Sequence, residues 1–277
     1  MSESVLLIDH PAPKVRRFTL NRPEKRNALN DDLRGALFDA LRDGDKARDV
    51  SVMIIRGAGS AFCAGYDLGS PNSDVERAIS RADGWWSRHV VNNWFEMWDM
   101  STPIIAQVHG YCLAGGTELA TACDLVYVAQ DAKIGYPPVR LMSPPDMQWQ
   151  TWLMGLRQGM EALLTGDSMS GIDAVTNGFA NRAHPVDELD GAVLAMAERI
   201  AKIPADLLAL NKRAAHRAMD VMGIRAGIRA TAEIQALGFH QKSSMEYMQS
   251  FVTKGVTAAL SERDAAFGDY REENKES

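Results

Sequence analysis

Short apolar runs that alternate with segments of helical periodicity are the feature that most constrains the fold. The runs at Ser51–Ile55, Ile104–His109 and Leu125–Ala129 are continuous and bounded by turn residues, which is typical of strands covered on both faces. Segments between them place apolar residues at intervals of three and four, as an amphipathic helix does. This alternation over residues 1–203 predicts an α/β fold in which crossovers join the strands of one core.

The same criteria predict the remaining elements of this part of the chain. Their bounds follow from the apolar pattern, from capping residues and from Gly or Pro at the ends. They are strands at Val5–Asp9 and Val15–Leu20; helices from Asn30 or Asp31 to Gly44, over Asp74–Met100 and over Thr117–Ala122; a tight loop at Gly110–Gly116; and helices over Met147–Leu164 and after Ser170.

The pattern changes after Pro204, because the sequence contains no further strand signal. Ala205–Met222, Ile224–Phe239 and Ser243–Phe251 have helical character almost throughout. We therefore divide the chain into a core, residues 1–203, and a helical region, residues 204–277, which packs on the core or on a neighbouring subunit. The polar end of the sequence, Glu272–Ser277, is expected to fray.

Composition excludes several classes of function. The chain has 277 residues, 46% of them hydrophobic, and a formal net charge of -6 with both signs mixed along the sequence. It shows no basic stripe for nucleic acid, no apolar run of the roughly 20 residues that a membrane helix needs, and no secretory signal. Cys63, Cys112 and Cys123 form neither a CxxC pair nor a metal-ligand spacing, which favours a reducing, cytoplasmic location without a metal site.

Two glycine-containing turns, Phe62–Leu68 and His109–Leu119, are the first candidates for chemistry. Each follows an apolar run, and the second leads into a helix near Gly115 or Gly116. The free N–H groups at a helix N-terminus stabilise an oxygen that gains negative charge during a reaction. The alternative is that the glycines only permit close packing of strand and helix. Neither turn has the pattern of a P-loop or of a dinucleotide-binding fold.

Several segments, taken in order and spacing, resemble the crotonase, or enoyl-CoA hydratase/isomerase, superfamily over nearly the whole chain. They are Asn21–Leu29, Ala61–Leu68, Gly115–Asp124, and Leu164–Gly166 with Ala174 and Gly178. The resemblance implies a crotonase-like spiral of strand–strand–helix units with a helical C-terminal region used for trimer formation. It also implies a homotrimer or a hexamer of two trimers, and an acyl-CoA thioester as substrate. Coenzyme A is then part of the substrate, so no separate cofactor is expected.

By this resemblance, the thioester carbonyl binds between the backbone N–H groups of Tyr66 and Gly115. Contacts to the adenine and phosphate groups of CoA are expected from two short segments, the second through its backbone: Lys25, Arg26 and Ala28, then Ala64, Asp67 and Leu68. Lys254 or Arg263 is a further candidate from the C-terminal helices, across a subunit interface. For the basic residues a solvated surface position is the alternative, since Lys and Arg are mostly exposed.

Glu118 is the first acid–base candidate, because it lies in the first turn of the helix after Gly115 and so near the oxyanion donors. Its alternative role is helix capping. The resemblance implies a second glutamate where this chain has Pro138, so ordinary hydration of a double bond lacks one carboxylate. Asp146 lies where some members of the superfamily carry an aspartate used as a base or a nucleophile. Its alternative role is to cap a helix that begins at Met147.

Four tryptophans, Trp85, Trp86, Trp94 and Trp98, lie on the segment that the resemblance places over the acyl pocket. Aromatic side chains there suit a bulky acyl group. Core packing is the alternative for at least two of them, since an indole buries a large area.

Three hypotheses for the function follow. The first is an enoyl-CoA hydratase or isomerase of fatty acid metabolism, in which Glu118 moves a proton with Asp146 as a second group. The second is a hydrolase of thioesters or C–C bonds, in which Asp146 attacks the substrate or activates water. The third is a non-catalytic oligomer that binds acyl-CoA, against which the intact Glu118 argues.

Overall fold

A six-stranded sheet forms the centre of the computed structural model, which describes residues 4–69 and 85–269. With strands numbered in chain order, the sheet consists of Leu6–Ala12 (β1), Val15–Leu20 (β2), Val52–Gly57 (β3), Ile104–Val108 (β5), Leu125–Ala129 (β7) and Arg182–His184 (β9). β1 and β2 form an antiparallel hairpin, and the other neighbours in the order β2-β3-β5-β7-β9 are parallel. The α/β prediction is confirmed.

A second, three-stranded parallel sheet contains Ala61–Cys63 (β4), Tyr111–Leu113 (β6) and Lys133–Gly135 (β8), in that order. Each of these strands follows closely on a strand of the large sheet, so the chain repeats a unit of strand, strand and helix. The sequence pattern does not predict these strands, because three residues are too few for a periodicity to show. The predicted loop at Gly110–Gly116 is therefore partly strand.

The first three α-helices of the described residues are Asp31–Lys46 (α1), Trp85–Asp99 (α2) and Gly115–Ala122 (α3). Asn30 caps α1 as predicted, since its side chain accepts the Leu33 N–H at 3.0 Å. The predicted end at Gly44 is wrong. A Cβ on Gly44 would lie 2.6 Å from Met53 Sδ, so this glycine serves the packing of α1 against β3. The first part of the helix predicted over Asp74–Met100 lies outside the described residues.

The single helix predicted over Met147–Leu164 is instead two helices, Gln150–Leu153 (α4) and Leu156–Thr165 (α5). Gly155 separates them with a φ of 76°, a conformation that favours glycine and cannot continue a helix. A short helix, Gly171–Thr176 (α6), then follows Ser170, as predicted. Ser170 and Asp173 form a reciprocal capping box at its start.

Helices follow one another in the described chain after β9: Val186–Ile200 (α7), Ala205–Val221 (α8), Ile224–Gly238 (α9), Lys242–Lys254 (α10) and Val256–Ala265 (α11). The helical region predicted after Pro204 is confirmed, and it packs on the core of its own chain. Helix α9 lies against α2, and Lys212 Nζ of α8 lies 2.8 Å from Asp124 Oδ2. The division at residue 203 stays a prediction. No helix among the described residues is long and apolar enough to cross a membrane.

Candidate active site

Two turns meet at one end of the three-stranded sheet. The neighbouring strands β4 and β6 lead into Gly65 and Gly115 respectively. Gly65 has a φ of 102°, and a Cβ there would lie 2.9 Å from the Cβ of Ala114. A Cβ on Gly115 would lie 2.7 Å from the Tyr66 ring. Only glycine permits this approach, so the packing role considered for the glycines holds, and it brings the two turns together.

Tyr66 and Gly115 both present backbone N–H groups at this meeting point. On either side of Tyr66, the Leu29 N–H donates to Gly65 O at 2.8 Å and the Asp67 N–H donates to Leu29 O at 3.1 Å. The N–H of Tyr66 and that of Gly115, the first residue of α3, have no acceptor in the described part of the chain. Free N–H groups at the positive end of a helix are suited to an oxygen that gains negative charge.

Ala114 holds the second turn in a strained conformation. Its φ of 50° and ψ of -122° lie in a region that residues with a Cβ rarely adopt, at a cost of about 1–3 kcal/mol. Four hydrogen bonds among the described residues fix it: its N–H donates to Gly135 O at 3.0 Å, Thr117 donates to Ala114 O from its N–H at 2.9 Å and its Oγ1 at 2.7 Å, and the Glu118 N–H donates to the same oxygen at 3.4 Å. Strain held in this way is common at functional sites.

Glu118 is fully buried beneath these turns, with four hydrogen-bond donors in the described part of the chain. The Tyr66 hydroxyl and Trp94 Nε1 donate to Oε2 at 2.7 and 3.3 Å. The Tyr136 hydroxyl and the Met147 N–H donate to Oε1 at 3.1 and 3.3 Å. Burial raises the pKa of the Glu118 carboxyl above its usual range, and the hydrogen bonds oppose that rise. The carboxylate therefore serves the site, and helix capping does not describe its contacts.

Asp146 is also buried, but its carboxylate has one hydrogen-bond partner within the described residues, the Ser87 hydroxyl at 2.9 Å from Oδ1. The helix-capping alternative is wrong, since α4 begins at Gln150 and Trp149 occupies its N-cap position. Burial, then the charge of Glu118, raise the pKa of Asp146 well above its usual range, and Ser87 opposes the rise.

Glu118 and Asp146 therefore differ in how well their surroundings accommodate a negative charge. Two buried carboxyl groups that repel each other raise each other's pKa, and hydrogen-bond donors favour the charged form. Glu118, with its four donors in the described chain, is better suited to hold the charge than Asp146, whose pKa is raised by burial and by the charge of Glu118. Environments that push two carboxyl pKa values apart are how enzymes assign a base and an acid.

Comparisons with known proteins show the family of this chain. A family model described as enoyl-CoA hydratase/isomerase matches residues 12–259. The chain belongs to the enoyl-CoA hydratase/isomerase family. It is 31% identical over 244 residues to a probable mitochondrial enoyl-CoA hydratase of Dictyostelium discoideum, a match that covers 87% of this chain and 86% of that protein.

Solved structures of the hydratase/isomerase family share the fold. An enoyl-CoA hydratase from Mycobacterium smegmatis gives a TM-score of 0.88 at 28% identity, covering 96% of this chain and 95% of that one. An enoyl-CoA hydratase/isomerase from Xanthobacter autotrophicus Py2 gives a TM-score of 0.84 at 30% identity, covering 96% and 99%. The crotonase-like fold with its helical C-terminal region is confirmed, and the chain is an enzyme of the hydratase/isomerase type.

Pro138 occupies the position at which resemblance to the family implies a second glutamate. It lies in the 3-10 turn Pro137–Arg140, and its carbonyl oxygen accepts the N–H groups of Met142 and Ser143 at 2.8 and 3.1 Å. This turn directs the chain toward Asp146. Position 138 thus has no carboxylate, but Asp146, a few residues later in the chain, supplies one.

The residues expected to bind the CoA part of a family substrate form two segments that pair with each other. They are Lys25, Arg26 and Ala28, then Ala64, Asp67 and Leu68. The Ala64 N–H donates to Arg26 O at 3.0 Å, and Arg22 Nη2 donates to Asp67 Oδ2 at 2.8 Å. Among these six, Lys25, Arg26 and Leu68 are exposed. Their contacts with CoA stay a prediction.

Lys254 and Arg263, the basic candidates from the C-terminal helices, are both engaged in ion pairs of their own chain. Lys254 is exposed, and its Nζ lies 2.6 Å from Glu262 Oε2. Arg263 is buried and lies 2.8 Å from Asp264. A phosphate contact from either residue requires it to leave or share its carboxylate.

The tryptophans of α2 divide between core and site. Trp94 and Trp98 are buried, which fits the core packing expected of at least two of them, and Trp98 stacks on His216 with ring centroids 5.3 Å apart. Trp94 also donates to Glu118. Trp86 meets the Tyr66 ring edge to face at 5.4 Å, so it is the tryptophan best placed beside the oxyanion donors. The side chain of Trp85 lies outside the described residues.

Sequence reasoning missed three residues of the site: Tyr136, Ser87 and Gln235. Tyr136 carried one usable signal, because it lies two residues before Pro138, the position already marked by the resemblance. Ser87 and Gln235 have no sequence feature that marks them as site residues. They belong to α2 and α9 and meet only in the folded chain, where the Ser87 hydroxyl contacts Gln235 Oε1.

Proposed function

We propose that this enzyme moves the double bond of enoyl-CoA thioesters by transferring a proton between two carbon atoms. One observation carries the proposal: two buried carboxyl groups, Glu118 with four donors among the described residues and Asp146 with a raised pKa, lie beside the free N–H groups of Tyr66 and Gly115. A base, an acid and oxyanion donors are the groups that such a transfer needs.

In the proposed reaction, Glu118 removes a proton from the carbon next to the thioester carbonyl of a 3-enoyl-CoA. The electron pair moves to the carbonyl oxygen, and the N–H groups of Tyr66 and Gly115 stabilise the resulting enolate. Asp146 donates its proton to the far carbon of the former double bond, which gives the 2-enoyl-CoA. The proton on Glu118 then passes to Asp146 and restores the starting state.

Hydration of a 2-enoyl-CoA is the second candidate. A relative that shares 31% of its residues with this chain carries the name of a probable enoyl-CoA hydratase. Asp146 supports this candidate as well, because it supplies a second carboxyl group in the absence of a glutamate at position 138. The two reactions differ in their product, since hydration adds water and isomerisation does not.

Hydrolysis and a purely binding role have less support. A carboxyl group that keeps its proton is a poor nucleophile, which weakens attack by Asp146 on a thioester or a C–C bond. A decayed site has no need for a strained Ala114 or for a buried glutamate with a full set of donors, both of which this chain retains.

The assembly proposed with this function is a homotrimer, or a hexamer of two trimers, in the cytoplasm. Large apolar side chains on the C-terminal helices support association because they are exposed in the single chain: Leu207, Leu210, Val221, Met222, Ile234, Leu237, Met245 and Val252. Exposed apolar surface of this extent favours contact with another protein surface.

A substrate panel in deuterated water tests the proposed function. The protein is incubated with 2-enoyl-, 3-enoyl- and dienoyl-CoA thioesters, and products are identified by NMR and mass spectrometry. Isomerisation gives a product of unchanged composition that carries deuterium on the carbon that received the proton. A 3-hydroxyacyl-CoA would instead favour hydration, and free CoA would favour hydrolysis. Binding of the thioesters without any product would overturn an enzymatic role on these substrates.

A further inference from the structure

We infer that Arg140 is a positioning residue, which ties the C-terminal end of the described chain to the part of the active site that carries Tyr136. The tie runs through the connection between β8 and α4, in which residues 136–146 include Tyr136 at one end and Asp146 at the other. The inference rests on the proposed function, because it explains how a donor to the proposed base is held in place. In this role Arg140 acts through Tyr136 and takes no part in the proton transfer.

The hydroxyl of Tyr136 joins this connection to both acidic residues. It donates to Glu118 Oε1 at 3.1 Å, and its oxygen accepts the Asp146 N–H at 3.4 Å. Tyr136 is also the N-cap of the 3-10 turn Pro137–Arg140, so Arg140 closes the turn that Tyr136 begins. A shift of this turn therefore changes the hydrogen bond to Glu118.

The guanidinium of Arg140 is buried, with 1% of the side chain exposed, and it donates to two other parts of the chain. Nη1 donates to Asp264 Oδ1 of α11 at 3.0 Å. Nη2 donates to Asp167 Oδ1 at 2.8 Å, and Nε donates to Thr165 O at 3.0 Å. Because a guanidinium is planar and presents its donors at fixed angles, these bonds set where the turn lies relative to α11 and to the end of α5.

The residues that follow α11 add to this tie. The ring of Phe267 lies 3.9 Å from Arg140 Cζ, within the range of a cation–π contact. Asp269 accepts both the N–H and the hydroxyl of Ser168 at 2.7 Å, and its Oδ2 lies 3.6 Å from Arg140 Nη2. Residues 264–269 therefore approach Arg140 with two carboxylates and an aromatic ring.

Burial makes the tie sensitive to the loss of one partner. The side chain of Asp264 is 4% exposed, and it pairs with Arg263 as well as with Arg140. A buried ion pair that loses one partner leaves the other charge uncompensated, which is costly. The turn then moves until Arg140 meets water or another carboxylate, and Tyr136 moves with it.

Asp264→Asn is the first test, because it keeps the shape of the side chain and removes its charge. Two effects on Glu118 then have opposite signs. Loss of a negative charge elsewhere lowers the pKa of a carboxyl group. A displaced Tyr136 raises the pKa of Glu118, because the hydrogen bond from Tyr136 lowers it. The sign of the shift therefore separates positioning from charge.

The readout is NMR titration of protein labelled with 13C in the glutamate carboxyl groups, with Glu118→Gln used to assign the signal. We expect the pKa of Glu118 to rise in Asp264→Asn by up to about one unit, the equivalent of one hydrogen bond. Tyr136→Phe should raise it by itself, and Asp264→Asn should then add no further rise. The rate of isomerisation below the acid limb of the pH profile should fall in step, by up to about tenfold.

Arg17→Gln is the matched control, since Arg17 also bridges two carboxylates, those of Asp9 and Asp190, but lies on β2 of the large sheet. It should lower the melting temperature and leave the titration of Glu118 in place. Arg140→Gln is the second variant. It should raise the pKa of Glu118, and the rise should be smaller on the Tyr136→Phe background. This pair of variants decides the question if Asp264→Asn does not fold.

The outcomes are distinct. A rise in Asp264→Asn that is absent on the Tyr136→Phe background supports the inference. A fall, or no shift, would mean that Asp264 acts on Glu118 by charge alone, and would overturn it. A rise in Arg140→Gln of the same size with and without the Tyr136 hydroxyl would also overturn it. A titration that shifts as expected in a protein without any isomerase activity would reject the proposed function and leave the role of Arg140 intact.

Discussion

Glu118 and Asp146 are the same chemical group in almost equal burial, yet their surroundings differ. Glu118 receives four hydrogen bonds from the described residues, while the carboxylate of Asp146 contacts one hydroxyl. Burial alone would raise both pKa values alike. The number of donors around each carboxyl group separates their pKa values, which suits the roles of base and acid proposed for them.

The two carboxyl groups also differ in how the fold builds their surroundings. Glu118 follows β6 on α3, and two of its donors, Tyr66 and Tyr136, come just after β4 and β8. All three strands belong to the same small sheet. Asp146 lies in a connection between elements, and its surroundings come from α2 and α9, which are far apart in the sequence. The first environment is built from the repeating strand–strand–helix units, and the second depends on contacts between helices that are distant in the sequence.

The sharpest test of the division of roles is Glu118→Gln. Loss of the base should lower kcat for the proton transfer by roughly 10²–10⁴, the usual contribution of general acid–base catalysis. Glu188→Gln, which changes an exposed glutamate in the first turn of α7, is the control and should retain wild-type rates. Steady-state rates and deuterium exchange into the substrate measure the effect. A loss of less than tenfold would show that Glu118 is not the base.

The second test breaks the oxyanion donors without touching a carboxylate. In Gly115→Ala, the new Cβ would meet three atoms of the Tyr66 ring at 2.7 to 3.0 Å, so the turn must shift. We expect kcat to fall about a hundredfold, as for loss of one preorganised donor. Gly35→Ala is the control, because a Cβ there meets nothing within 4 Å. Equal rates in the two variants would refute a role for the Gly115 N–H.

The third test removes donors from Glu118 one at a time. In Tyr66→Phe and Tyr136→Phe the pKa of Glu118 should rise, since the hydrogen bonds from these phenols lower it. The acid limb of the pH–rate profile therefore moves to higher pH, and the rate below that limb drops by about tenfold for loss of one hydrogen bond to a charged group. Tyr66→Phe should have the larger effect, because its bond is 2.7 Å long against 3.1 Å for Tyr136.

The outcome for these variants also separates the effect of the hydroxyl from that of the ring, since Tyr66→Phe keeps the ring that packs on Gly115. An acid limb that stays in place in both variants would mean that Trp94 and the Met147 N–H suffice to hold the Glu118 anion. Removal of Glu118 by substitution to Gln should abolish the acid limb altogether.

The repeating part of the fold and the site built on it were predictable from the sequence. Ile104–Val108 and Leu125–Ala129 are continuous apolar runs, and Gly65 and Gly115 are at positions where only glycine fits. These are local signals, and the position of Glu118 follows from them. The strands of three residues were not predictable, because pairing with their neighbours in the small sheet holds them in place rather than any pattern of their own.

The surroundings of Asp146 could not be predicted, for a physical reason. The sequence places a Pro-Pro-Asp segment before a helical pattern, and capping is the ordinary use of an aspartate there. The break at Gly155 and the start of α4 at Gln150 remove that role. The contact with Ser87 depends on how α2 packs in the folded chain, which no local pattern encodes.

The smallest expected effect concerns stability and tests the Asp146 side of the comparison directly. The folded-state pKa of Asp146 is raised above its unfolded value, chiefly by burial. Its contribution to stability is therefore fully present below the usual aspartate range and is lost as the pH rises through the raised pKa. Asparagine has no charge to bury, and its amide oxygen keeps an acceptor for the Ser87 hydroxyl, so Asp146→Asn avoids this loss.

We accordingly expect Asp146→Asn to melt at a higher temperature than wild type near neutral pH, although it should impair turnover. Each kcal/mol gained corresponds to about 2–4 °C in a chain of this size. The difference in melting temperature should be small at acid pH, widen above the usual aspartate range and level off above the raised pKa. Asp131→Asn, a change at an exposed turn residue, is the control for the general loss of one negative charge. A difference that does not vary with pH, or a variant less stable than wild type throughout, would mean that the folded protein keeps Asp146 ionised. The base and acid roles argued from the two environments would then have to be exchanged.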